Sequence, residues 1–133
     1  MANYGFVYVL GNDYMPGIYK IGMTNQTPLR RRDELSSGTA VPTPFNLLFY
    51  IEVDNAAQVE RTIHECLQAD RISEGREFFH CDIRKIHFEF SQWEADGAPM
   101  ATTSFGKEAL YGKDFTDQPV PNTEPINEAV GVI

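Results

Sequence analysis

The sequence predicts an α+β domain: a small mixed, mainly antiparallel β-sheet flanked by helices and followed by an irregular C-terminal tail. Three observations point there. Two short runs rich in β-branched and aromatic residues, Phe6-Val7-Tyr8-Val9-Leu10 and Ile18-Tyr19-Lys20-Ile21-Gly22, are separated by the turn formers Gly11-Asn12-Asp13 and Met15-Pro16-Gly17. Three later segments open with helix-start signals, and two of them repeat apolar residues at helical spacing. From Gly97 onward the apolar residues scatter and no period is sustained. A chain of 133 residues suits one domain with an appendage, since single domains cluster near ~100–150 residues.

Each element follows from local chemistry. The first two runs lie close enough to pair as an antiparallel hairpin. Thr27 before Pro28 is an N-cap followed by the favoured first helical residue, so a helix runs through Leu35 and stops by Gly38. Pro42-Thr43-Pro44 makes a stiff extended link, and Phe45 to Val53 reads as a central strand buried on both faces. Asp54 is expected to cap a second helix on which Val59, Ile63 and Leu67 share a face as far as about Ala69. Glu74-Gly75-Arg76 turns the chain into a short strand, Glu77 to Cys81, where at least one of Phe78 and Phe79 anchors the core. Asp82 caps a third helix carrying Ile83, Ile86, Phe90 and Trp93 on one stripe. The domain is thus expected to span residues 1–96. Residues 97–133 form an acidic tail that is either flexible or draped over the domain or a protein partner through Phe105, Leu110, Tyr111 and Phe115.

Composition narrows the function classes. No apolar run approaches the ~18 residues of a membrane span, and the N-terminus lacks the basic-then-apolar pattern of a signal peptide, so a soluble, cytoplasmic protein with no membrane partner is expected. Cys66 and Cys81 read as reduced thiols and lack zinc-site spacing. A net charge of −8 argues against a general nucleic-acid coat. Residues 1–50, however, hold four basic groups against three acidic, whereas residues 91–133 hold two against seven. A polyanion would have to approach the N-terminal half.

Strand alternation places Tyr8 with Phe6 and Leu10 on one face, and Lys20 with Ile18 and Gly22 on one face of the neighbouring strand, so Tyr8 and Lys20 become neighbours. An ammonium beside a phenol favours the phenolate and can hold a phosphate. Tyr19 falls on the opposite face. Arg31, four residues before Leu35, shares its inward side of the first helix, while Arg30 and Arg32 read as a solvated face that steers backbone phosphate. Glu60 and His64 lie one turn apart on the second helix. Glu77 reads as a cap or backbone hydrogen-bonding group near the site.

Tyr8 within Phe6-Val7-Tyr8, Lys20-Ile21-Gly22-Met23-Thr24, Arg31, Glu34-Leu35-Ser36, Val41-Pro42-Thr43-Pro44-Phe45, Glu60 with His64, and Glu77-Phe78-Phe79 together make the chain resemble the GIY-YIG nuclease superfamily. The match covers about residues 5–81 and points to a branch common in phages and often described as DNA-binding, with Lys20-Ile21-Gly22 where the second tyrosine tripeptide would stand. The resemblance implies a DNA endonuclease in which Tyr8 helps to deprotonate water, Arg31 grips the scissile phosphate, and Glu60 holds one Mg²⁺ or Mn²⁺. Lys20, by its charge beside Tyr8, reads as a further catalytic group, and Gly22, Thr24, Arg30 and His64 read as substrate-binding residues. Two other readings remain open: a non-cleaving DNA- or protein-binding module of the same fold, and an acidic inhibitor of a host nucleic-acid or defence system.

Overall fold

The computed structural model describes residues 3–37, 44–72 and 77–112. Strands β1 (Gly5–Gly11) and β2 (Ile18–Thr24) form the expected hairpin, followed by α1 (Pro28–Ser36), β3 (Asn46–Val53) and α2 (Ala56–Cys66). A short 3-10 turn (Gln68–Asp70), β4 (Phe78–His80), α3 (Ile83–Ala95), β5 (Met100–Thr102) and α4 (Ser104–Tyr111) complete the described chain. The five strands are ordered β4-β2-β1-β3-β5, and every pairing is antiparallel. The α+β class is as the sequence predicts. The link at Val41-Pro42-Thr43, the turn at Glu74-Gly75-Arg76, and Phe115 with the rest of 113–133 lie outside the described residues.

Two apolar layers sandwich the sheet. The back layer joins Val7, Val9, Ile21, Phe49, Ile51 and Phe79 to Val59 and Ile63 of α2 and to Ile83, Ile86 and Phe90 of α3. Tyr19 packs on this side, as its parity requires. The smaller front layer gathers Tyr8, Leu10, Phe45 and Leu47 with Leu35 of α1. Phe79 is fully buried while Phe78 borders the front layer, so the aromatic pair straddles the sheet.

Helix starts follow the capping rules with one shift. Thr27 accepts from the Arg30 N–H at 3.3 Å and Asp82 from the Arg84 N–H at 2.9 Å, as expected. The second helix is capped by Asn55 rather than Asp54: Asn55 Oδ1 accepts from the Gln58 N–H at 3.3 Å. The cause is tertiary. Fully buried Ala56 donates its N–H to the Asn3 carbonyl at 2.9 Å, which fixes the first helical residue there.

The chain past Asp96 departs from an irregular tail. Met100–Thr102 pairs with Phe49–Ile51 of β3 and extends the sheet. Thr103 then caps α4 and ties it to β3, donating its N–H to the Leu48 carbonyl at 2.9 Å and its hydroxyl to the Leu47 carbonyl at 2.5 Å. Gly106 lies so close to the Leu48 carbonyl that any Cβ there would collide with it. Regular structure therefore continues to Tyr111 among the described residues, held by backbone contacts that leave little hydrophobic pattern in the sequence. The draped alternative holds for Leu110, which packs on the back layer, whereas Phe105 and Tyr111 are exposed.

Candidate functional site

The short β4 creates the site. It pairs with β2 over Ile18–Lys20, and the Glu77 carbonyl accepts the Ile21 N–H at 3.0 Å. Past that bond, no described strand pairs the outer edge of Gly22–Thr24. Groups from α1, β1, β4 and α2 converge on this open edge.

Tyr8 stands opposite Gly22 on β2 and opposite Tyr50 on β3. A Cβ on Gly22 would lie 2.5 Å from the Tyr8 hydroxyl oxygen and 3.2 Å from Glu77 Oε1. The missing side chain is the space in which phenol and carboxylate approach. Lys20 shares this face, as strand parity predicts, and donates from Nζ to Glu77 Oε1 at 2.9 Å. Its side chain is only 13% exposed. It is therefore not a solvated edge lysine, and its charge is already partnered. Glu77, read from sequence as a backbone cap, instead directs its carboxylate into the site.

Across the front, the Arg31 guanidinium lies beside the Tyr8 phenol and pairs with Glu34 at 3.2 Å. Burial pushes the phenol above its ordinary value. The nearby guanidinium of Arg31 opposes that shift without cancelling it, and Glu77 and Glu60 add to it. The shift favours the neutral phenol at rest, a form that donates a hydrogen bond.

Glu60 and His64 occupy the α2 side, lining a cavity of about 490 Å³ with Glu77, Arg61, Arg71 and Met23. Burial, reinforced by Glu77, raises the Glu60 carboxyl to about 7, with Lys20, Arg71 and Arg61 pulling the other way. His64 is buried, and its Nε2 lies 2.9 Å from the Ile21 carbonyl, so the ring ties α2 to β2. Burial lowers its pKa, which suits a neutral ring donating from Nε2.

Other predicted residues sit differently. Thr24 is buried, and its hydroxyl accepts the Gln26 N–H at 3.0 Å, closing the turn after β2. Arg30 is 73% exposed, as a steering residue requires. Arg32 is not part of a solvated face: it donates to the Phe45 carbonyl at 3.3 Å and to Asp33 at 2.7 Å, fastening α1 to the start of β3. Both cysteines are free thiols. No cluster of three or more His, Cys, Asp or Glu residues suited to a metal is present among the described residues. Among those residues, no helix is long and apolar enough to cross a membrane.

The family model of the T5orf172 domain matches residues 5–94, which contain β1 through β4, all but the last residue of α3 and every side chain of the convergent edge. The chain belongs to the T5orf172 domain family. This overturns the resemblance to the GIY-YIG nuclease superfamily, which rested on the string of short motifs between residues 5 and 81. The physical departure is at Lys20, where an ion pair to Glu77 stands in place of a second tyrosine. T5orf172 domains are phage-associated and nuclease-like or DNA-binding in character. No curated protein and no solved structure matches the chain. The T5orf172 match ends at residue 94, so β5 and α4 lie outside the matched span.

Proposed function

We propose that this T5orf172 domain hydrolyses DNA phosphodiester bonds with the help of a divalent cation. The observation that carries the reading is the convergence of Arg31, Tyr8, Lys20, Glu77 and Glu60 around the space left by Gly22. Such a set is costly to bury unless it binds something. Arg31, half-exposed beside Tyr8, presents donors for a phosphate and stabilises charge developing on it. The neutral Tyr8 phenol orients the same phosphate or the attacking water. Lys20, held by Glu77, adds fixed positive charge at the β2 edge.

The donor chemistry at Glu60 fits a hard cation. Its half-buried carboxylate has no hydrogen bond or ion pair to another described residue, and oxygen ligands with most positions left to water and substrate suit Mg²⁺ or Mn²⁺. When bound, such an ion supplies charge neutralisation at the phosphate. Glu60 itself changes protonation near neutrality and can hold or release a proton there. Incubation of purified protein with plasmid DNA in Mg²⁺, Mn²⁺ or EDTA tests the proposal, with nicking or linearisation expected only in the metal arms. A second reading, a non-cleaving DNA-binding module, is favoured by the partnered state of Lys20 and the net charge of −8. DNA binding without cleavage under any metal would select it.

A further inference from the structure

Beside the convergent edge, the front of the sheet carries an aromatic row that the chemistry above does not use. Tyr50 stands directly opposite Tyr8, and Phe6 lies two residues before Tyr8 on the same face. Phe6 and Tyr50 meet edge to face at 5.7 Å between ring centroids, and Tyr4 continues the row at 6.0 Å from Phe6. Helix α1 covers the other end of this face, where Leu35 packs with Leu10, Phe45 and Leu47. Phe6 and Tyr50 are only partly buried, and Tyr4 is 36% exposed. Directly opposite Phe6 on β3 stands Glu52, which repels phosphate but accepts hydrogen bonds from exocyclic amino groups.

We propose that Phe6 and Tyr50 form a stacking subsite for an unpaired nucleobase of the DNA strand whose phosphate Arg31 grips. The inference rests on the DNA reading above and names the substrate: single-stranded or locally opened DNA. Three features select this occupant. The row is continuous with the site through the Tyr8–Tyr50 pair. Arg31 supplies positive charge only at the Tyr8 end, whereas the Phe6 end carries the carboxylate of Glu52, so backbone belongs at one end and a base at the other. Aromatic rings beside a phosphate grip are the recurrent means of holding unstacked bases, and a paired base inside a duplex offers no free face to them.

Fluorescence anisotropy of the full chain, in EDTA so that cleavage does not intervene, compares a labelled 12-nucleotide strand with the blunt duplex of the same sequence. The single strand should bind at least ~10-fold tighter, and Tyr50→Leu or Phe6→Leu should each remove about tenfold of that affinity while leaving duplex binding and the melting temperature nearly unchanged. Equal affinity for both forms, or equal losses on both, overturns the subsite. Should either variant unfold, the wild-type protein decides: photocrosslinking to a 4-thiothymidine strand should modify peptides containing residue 6 or residue 50, and adducts confined elsewhere overturn the proposal. Ring-dependent single-strand binding without cleavage in Mg²⁺ or Mn²⁺ sinks the nuclease reading and leaves the subsite standing. Cleavage of intact duplex with no single-strand preference does the reverse.

Discussion

Glu60 keeps its proton to about pH 7 in the folded chain, against an ordinary value of 4.5. Its contribution to stability is therefore fully present below pH 4.5 and is lost as the pH rises through about 7, where the buried carboxylate must ionise. Glu60→Gln should raise the melting temperature by a few degrees at pH 8, roughly the effect of several tenths of a kcal/mol, and change it little at pH 5, as differential scanning fluorimetry would show. The same variant should lower DNA cleavage by ~10² or more, and wild-type cleavage in Mg²⁺ should climb between pH 6 and 8. Gly22→Ala makes the complementary test. A methyl group 2.5 Å from the Tyr8 hydroxyl must displace the phenol, so cleavage assays should show a loss of ~10² from misplacement alone. The proximity of Tyr8 and Lys20 and the inward turn of Arg31 were legible in strand parity and helix register. The part played by Glu77 was not, because its carboxylate reaches the site only through the pairing of β4 with β2, and no local spacing encodes that register.

At the scale of elements, β5 and α4 show where pattern reading fails. A three-residue strand is too short to display alternation, and α4 is anchored by the Thr103 hydroxyl and the bare backbone of Gly106, which no hydrophobic count reveals. By contrast, α3 announced itself through Asp82 and the stripe of Ile83, Ile86 and Phe90, all of which face the core. A chain ending at Asp96 should consequently lose stability and expose the outer edge of β3 to aggregation. A chain ending at Gly112 retains both elements and should melt at a higher temperature than the one ending at Asp96. Thermal melts with light scattering would separate the two, and equal behaviour would show that β5 and α4 contribute nothing to the fold.

The whole molecule is acidic, with a net charge of −8, yet the front of the sheet gathers Arg30, Arg31 and Lys20. Lys20 is neutralised by Glu77, and Arg31 shares Glu34, so few cations remain to displace counterions from DNA. The logarithm of DNA affinity should therefore fall with log salt at a slope of only about −1 to −3. Anisotropy titrations between 50 and 200 mM salt would measure it, and a slope near −6 would require a basic surface other than this one. The sequence revealed the charge gradient along the chain but not its local cancellation, which depends on the ion pairs.

Strand β3 carries one residue more than β1 opposite it: the register shifts so that Val9 faces Phe49 while Leu10 faces Leu47. Leu48 is that extra residue, and its carbonyl, with that of Leu47, receives Thr103 at the head of α4. The irregularity lies inside the span shared with the T5orf172 family, whereas the helix that exploits it lies outside. The additional residue of β3 and the clasp of α4 are thus structurally coupled in this chain. Removing residues 100–111 should leave the carbonyls of Leu47 and Leu48 as two adjacent unsatisfied acceptors, so the end of the molecule that the bulge builds is also the end where a replacement donor would dock.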